Sequence, residues 1–119
     1  MRDEIMWWMS RLTIMLTSIF LSMTLAAQAY AAEVTMGSNG NLVFEPNDIT
    51  INAGDTVTFT NGALPPHNMI VKDHPELSHG DLAFATGDSF DVTFPDAGDF
   101  EFQCDPHAGA GMKGVIHVQ

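Results

Sequence analysis

The chain has 119 residues, enough for one small domain, and carries 15 Asp and Glu against four Lys and Arg, a net charge of −11. This charge argues against nucleic-acid binding, because proteins that bind phosphate backbones neutralise them with Lys and Arg. The single cysteine excludes an intrachain disulfide framework, and a hydrophobic fraction of 45% excludes a disordered acidic tail.

The first element in chain order is a leader, predicted over residues 1–31. Arg11 precedes a stretch of 21 uncharged residues that is apolar at first and then rich in small residues. The sequence Ala29-Tyr30-Ala31 is typical of a signal-peptide cleavage site, and cleavage after Ala29 fits as well. A retained membrane anchor is the alternative, since a run of this length could just span a bilayer. On either interpretation, the domain at 32–119 is expected outside the cytoplasm.

Eight short strands are predicted in residues 32–119. Each is an apolar stretch with period-two alternation, bounded by Gly, Pro, Asn or Asp. Many short strands of this kind predict an all-β sandwich or barrel. Segment 75–85 is the least strand-like and is compatible with a helical turn. The predicted strands are 33–36, 42–44, 48–51, 56–60, 67–71, 89–94, 99–104 and 114–118.

The alternation in strand 99–104 predicts which way the cysteine points. Phe100, Phe102 and Cys104 share one face of the strand, and the acids and Gln103 share the other. Cys104 is therefore expected to face the core at the end of a strand.

A candidate metal site follows directly in the sequence. Cys104, His107 and Met112 lie within nine residues, and His67 in Pro65-Pro66-His67-Asn68 supplies a second imidazole from another strand. Two His and one Cys in a trigonal plane, with a distant axial Met, form a blue-copper electron-transfer site. Thiolate and thioether favour Cu(I), whereas imidazole also suits Cu(II), so such a site serves both oxidation states.

Each of these residues alone would more often be a packing or surface residue, and only the joint pattern indicates a metal. The other histidines have no cysteine or methionine in a comparable pattern and are expected on the surface; they are His74, His79 and His117. Met36 and Met69 are expected to pack in the core.

The residues around this site resemble the plastocyanins, a family of type I blue copper proteins, and cyanobacterial-type members look nearest. The resemblance covers residues 33–119 in order. It is carried by the segments Cys104–Val118, Leu64–Val71, Leu42–Pro46, Ala53–Val57 and Glu76–Phe84.

The resemblance implies an eight-stranded Greek-key cupredoxin sandwich with one copper ion at one end, held by His67, Cys104, His107 and Met112. It implies that Asn68 ties the two ligand loops together by hydrogen bonding, beside Pro66. An apolar end surface around the exposed edge of His107 would serve docking and electron passage. That surface is implied to comprise Gly40, Leu42, Pro66, Gly109 and Ala110.

The family also implies a biological role. The protein is expected to be a soluble monomer in the thylakoid lumen that carries one electron from cytochrome f of the cytochrome b6f complex to photosystem I.

Two departures from the family pattern concern docking. Gln103 stands where plastocyanins usually have Tyr, and Ala108 stands where cyanobacterial members often have Arg. The region between His67 and Cys104 is also shorter than in plant members, which removes part of their acidic side patch.

Two alternatives remain open. One is a periplasmic cupredoxin of another redox chain, and the other is a copper-binding protein without electron transfer. Enzyme activity is not expected, because the multicopper enzymes use further histidine clusters and substrate chemistry needs an open coordination position. No small-molecule substrate is expected either.

Overall fold

The computed structural model describes residues 31–119, which form a sandwich of two β-sheets. A short 3-10 helix at Pro75–Leu77 precedes the sixth strand, and a second at Asp105–Ala110 joins the last two strands. The strands are β1 (Ala31–Ser38), β2 (Asn41–Glu45), β3 (Asp48–Ile51), β4 (Thr56–Asn61), β5 (His67–Val71), β6 (His79–Ala83), β7 (Ser89–Thr93), β8 (Gly98–Gln103) and β9 (Lys113–Val118).

The strand order brings the candidate ligands to one end of the sandwich. One sheet has the order β2-β1-β4-β7 and the other the order β3-β9-β8-β5-β6. Since β5 and β8 are antiparallel, with Ile70 opposite Gln103, β5 begins where β8 ends. Since β1 and β4 are parallel, with Met36 opposite Asn61, both run toward the same end of the sandwich. The loops that leave or enter these strands can therefore meet at one end.

The core between the sheets is aromatic near that end. Phe44, Phe59 and Phe102 are almost fully buried, and the ring centroid of Phe102 lies 4.7 Å from that of Phe44 and 5.8 Å from that of Phe59. Edge-to-face rings at such distances attract each other beyond their burial alone. Phe102 precedes Cys104 by two residues, so this cluster anchors the end of β8. Cys104 is itself fully buried, which confirms the predicted core-facing orientation.

The predicted all-β sandwich class is confirmed, but the strand count in the described residues is nine rather than eight. The additional strand is β6, within the segment expected to be least strand-like, where the helical turn at Pro75–Leu77 precedes it. Its residues show no alternating burial and include Gly80. Pairing with β5, with Ala83 opposite His67, stabilises β6 as an edge strand, and sequence pattern alone does not reveal such pairing.

His79 differs from its predicted surface position. Its ring stacks on that of Phe90, with centroids 3.8 Å apart and planes 8° from parallel, and Phe90 stacks in turn on Phe59. The histidine thereby covers the gap between the edge strands β6 and β7. Met36 and Met69 are fully buried, as expected for packing residues.

The predicted leader lies outside the described residues except for Ala31, which opens β1. It stays a prediction. Within residues 31–119, no helix is both long and apolar enough to cross a membrane.

On the outer face of the five-stranded sheet, His117 joins three neighbouring strands. Its Nδ1 lies 2.7 Å from Oδ1 of Asp99 on β8, and its Nε2 lies 3.1 Å from Oδ1 of Asp48 on β3. The hydrogen bond to Asp99 and the negative charges of both acids raise the pKa of His117 above its usual 6.5.

We expect this arrangement to make stability depend on pH in a defined direction. Because folding raises the pKa of His117, its stabilising effect is complete below the unfolded pKa of 6.5 and is lost as pH rises through the folded pKa. Denaturant unfolding of the wild type and of His117→Gln, from about pH 5.5 to about pH 9, measures this effect. The wild type should be the more stable at the acidic end, and the difference should vanish at the basic end. A difference that grows with pH would contradict the assignment.

Candidate metal centre

The four residues predicted to bind a metal come from two loops at the same end of the sandwich. His67 is the first residue of β5, and Cys104 follows the last residue of β8. His107 lies in the 3-10 helix Asp105–Ala110, and Met112 directly precedes β9. All of these residues are buried except His107, which is half-buried. The chain thus brings side chains from sequence positions far apart to one place.

Three of the donor atoms are close enough to share one ion. Sγ of Cys104 lies 3.7 Å from Nδ1 of His67 and 3.5 Å from Nδ1 of His107, and one ligand atom from each residue falls within 4.8 Å of the others. With bonds of about 2.3 Å to thiolate and about 2.0 Å to imidazole, donors separated by an angle of about 110–120° lie roughly 3.5–3.7 Å apart. The two sulfur–nitrogen distances therefore fit donors that would hold a single metal ion between them.

The orientation of His67 is set by a backbone group. Its Nε2 lies 2.6 Å from the carbonyl oxygen of Ala63, so Nε2 carries the proton and donates it. The neutral tautomer then leaves a lone pair on Nδ1, which faces the sulfur of Cys104. A ligating histidine whose other nitrogen donates to a carbonyl has a fixed ring orientation and higher basicity.

Burial raises the pKa of the Cys104 thiol, although the backbone N–H groups of Asn68 and His107 act in the opposite direction. A thiolate is therefore costly at this position unless a cation compensates its charge. Binding a metal ion here deprotonates the thiol, so the affinity of the site for metal rises with pH.

Partial burial lowers the pKa of His107, and the neighbouring His67 lowers it further. Both effects favour the neutral imidazole, which is the form that binds metal. The two rings stand edge to face with centroids 5.0 Å apart. Because His107 is half-buried, part of its ring reaches the surface of the molecule.

The loop of Cys104 is closed on itself by backbone hydrogen bonds. The Cys104 N–H donates to the carbonyl of Met112 at 3.1 Å, and the Met112 N–H donates to that of His107 at 3.3 Å. Gly111 between them has φ +88°, a left-handed conformation that glycine adopts without strain. The fully buried Met112 is thus held beside the other three residues.

Asn68 connects the two ligand loops and the edge strand. Its Oδ1 accepts a hydrogen bond of 2.9 Å from the N–H of Asp105, the residue after Cys104. Its Nδ2 donates to the carbonyl of Gly80 on β6 at 3.1 Å. Asn68 is 4% exposed, whereas Gly80 and Asp105 are exposed, so the two bonds are part-buried.

The residues predicted for the apolar end surface lie in loops and strand ends near the candidate ligands. Gly40 is in the turn between β1 and β2, and Pro66 precedes His67. Gly109 and Ala110 are exposed at the end of the 3-10 helix, and Leu42 is half-buried. Sequence reasoning missed Leu64, which is 50% exposed and shares the loop of Pro66. Its position two residues before Pro66 could have indicated that Leu64 belongs to the same surface.

The two positions that depart from the family pattern are both half-buried. Gln103 faces the outer side of its sheet and donates through Nε2 to Oδ1 of Asp105 at 3.2 Å. It lines a groove of about 770 Å³ together with Lys72 and Lys113. Ala108 is half-buried next to His107.

Known proteins resemble this chain over the same region. Residues 31–119 match the profile of the family described as copper binding proteins, plastocyanin/azurin family. A chloroplastic plastocyanin of Oryza sativa subsp. indica is 42% identical over an aligned length of 110 residues, and the match covers 85% of this chain and 71% of the relative. A plastocyanin of Scenedesmus fuscus is 48% identical over an aligned length of 96 residues, and the match covers 72% of this chain and 97% of the relative. The solved structure of oxidized plastocyanin from Dryopteris crassirhizoma has a TM-score of 0.66 at 31% identity, and the match covers 74% of this chain and 100% of that one.

Proposed function

The chain belongs to the plastocyanin/azurin family of copper-binding proteins, and on this premise we propose that it carries single electrons on one copper ion held by His67, Cys104, His107 and Met112. The observation that supports this assignment most directly is the buried convergence of one thiol and two imidazoles. The donor types, soft sulfur with imidazole, suit copper in both of its common oxidation states.

When bound, copper supplies a one-electron couple. The chain's own residues keep the donors in place: Ala63 fixes the ring of His67, and Asn68 holds the backbone after Cys104. A site whose donors are held rigidly changes little between oxidation states, so electron transfer costs little rearrangement. The half-buried ring of His107 provides a short path from the buried donors to the surface.

Four protein donors around one ion leave no position for a substrate, and for this reason we assign a carrier role rather than an enzymatic one.

The partners we propose are cytochrome f of the cytochrome b6f complex as donor and photosystem I as acceptor. Relatives named chloroplastic plastocyanins support a photosynthetic role. Residues 31–119 contain 13 acids and only two basic residues other than histidine, Lys72 and Lys113. Both lysines lie beside the groove on the outer sheet face. The apolar end, as far as the described residues define it, carries no lysine or arginine, which favours partners with basic surfaces around an apolar contact.

We propose that residues 1–31 are a leader that directs the domain to the thylakoid lumen. This follows from the basic residue, apolar stretch and small-residue cleavage pattern together with the chloroplastic names of the relatives.

The decisive experiment combines copper titration with stopped-flow electron transfer. Copper addition should give an intense blue species that ascorbate bleaches reversibly, and a colourless complex would refute the copper site proposed here. Rapid reduction by cytochrome f, slowing as salt rises, would support the proposed partners. A blue protein that neither partner oxidises nor reduces would favour a cupredoxin of another redox chain, or a copper-binding protein without electron traffic.

A further inference from the structure

Near the end of β1, Gly37 lies against the loop that precedes His67. Gly37 is buried, and its carbonyl accepts a hydrogen bond of 2.9 Å from the N–H of Ala63. One residue earlier, the carbonyl of Met36 accepts from the N–H of Gly62 at 2.8 Å. Strand β1 therefore continues to pair with the chain beyond the end of β4 and reaches the residue whose carbonyl orients His67.

The Ala63 carbonyl and the ring of His67 fill the space that a side chain at position 37 would need. A Cβ placed on Gly37 would overlap the carbonyl oxygen of Ala63 and would lie 2.8 Å from Nε2 of His67. These two atoms are the acceptor and donor of the hydrogen bond that sets the His67 ring. From the opposite side, a Cβ on Gly62 would overlap the carbonyl oxygen of Gly37. Each glycine thus allows a close backbone approach that any other residue would prevent.

We propose that Gly37 is a positioning residue of the metal site. By letting β1 press the Ala63 carbonyl against Nε2 of His67, it keeps the proton on Nε2 and the lone pair of Nδ1 directed at the Cys104 sulfur. The significance of this role rests on the proposed function, in which Nδ1 binds copper. Groups that orient a ligating histidine typically change metal affinity 10–100-fold when they are altered.

A simpler reading is that Gly37 is glycine only because its φ is +82°. Gly54 provides the comparison, since it has φ +92° but a Cβ there would meet no atom within 4 Å. Both positions have a positive φ, so replacement by alanine carries a similar kind of conformational penalty at each. Only position 37 adds a steric conflict with Ala63 and His67. Comparing the two alanine variants therefore separates the effect of backbone strain from the effect on the position of the His67 ring.

The test compares Gly37→Ala and Gly54→Ala in the full chain. In the metal-free protein, NMR of the imidazole nitrogens reports the tautomer of His67 and the exchange rate of its Nε2 proton. Competition with a chelator of known strength reports the affinity for copper. The wild type and Gly54→Ala should show a protected Nε2 proton and equal affinities. Gly37→Ala should lose the protection, bind copper about 10–100-fold more weakly and shift the visible absorption band.

An unchanged His67 proton and copper affinity in Gly37→Ala would refute the proposal, as would an equal loss in Gly54→Ala. Should Gly37→Ala fail to fold, Gly62→Ala is measured, and the same loss at His67 is expected because its Cβ displaces the Gly37 carbonyl. Failure of both to fold while Gly54→Ala folds would assign these glycines to folding alone. The imidazole measurement needs no copper, so a wild type that never turns blue refutes the proposed function without deciding the role of Gly37.

Discussion

Replacement of Cys104 by alanine is expected to abolish the blue colour of the copper-loaded protein and to weaken copper binding by more than about 100-fold, the upper range for changes outside the ligands themselves. The colour of such sites depends on a copper–thiolate bond, and this is the only cysteine in the chain. Absorption and EPR spectra of the copper-loaded variant provide the measurement, and circular dichroism of the metal-free form verifies that it is folded.

Two buried methionines supply a matched control for this prediction. Met112 and Met69 are both fully buried, but only Met112 belongs to the ligand loop. Met112→Leu should alter the spectrum and the reduction potential, because it removes a thioether that would help to hold the copper, whereas Met69→Leu should leave both unchanged. A blue Cys104→Ala protein, or equal spectral effects of the two methionine variants, would contradict the proposed ligand set.

Replacement of Asn68 by alanine is expected to lower the free energy of unfolding by about 1–3 kcal/mol, because it removes two part-buried hydrogen bonds, each worth about 0.5–1.5 kcal/mol, and deprives two backbone groups of these partners. The two groups are the N–H of Asp105 and the carbonyl of Gly80. The total stability of a small domain is typically about 5–15 kcal/mol, so the loss is a large share of it. Denaturant unfolding of the metal-free protein measures this effect directly.

Asn41→Ala is the control for the asparagine prediction. Asn41 is exposed and makes one local hydrogen bond of 3.3 Å, to the carbonyl of Asn39. Exposed substitutions of this kind usually change stability by less than about 0.5 kcal/mol. The two variants lose the same atoms, so the difference between them isolates the two hydrogen bonds of Asn68. Equal stabilities of Asn68→Ala and Asn41→Ala would show that Asn68 does not hold the loops together.

Much of the fold could be predicted because burial in strands follows a period of two residues. That alternation placed Phe100, Phe102 and Cys104 on the core face of β8, and all three are buried. Turn residues between the apolar stretches indicated the class of an all-β sandwich. Strand β6 escaped prediction because its neighbour β5 stabilises it, and no local pattern encodes that pairing. His79 escaped for the same reason, since its stacking partner Phe90 comes from the other sheet.

The candidate ligands could be predicted because a cysteine, a histidine and a methionine in one short loop are an unusual combination with a chemical meaning. The groups that orient them could not. The carbonyl of Ala63 belongs to the backbone, which every residue possesses, and only the fold brings it to Nε2 of His67. Gly37 contributes by lacking a side chain, and that absence has meaning only once β1 is known to lie against this loop.

The sequence by itself therefore determined the chemical identity of the donors, the all-β class and the acidic character of the domain, because these depend on residue type and local periodicity. The tertiary structure decided the tautomer of His67, the raised pKa of the Cys104 thiol, and the hydrogen bonds of Asn68. It also decided that Lys72 and Lys113 line one groove together with Gln103. These properties depend on distances between segments that are remote in the chain, and such distances arise only when the two sheets pack together.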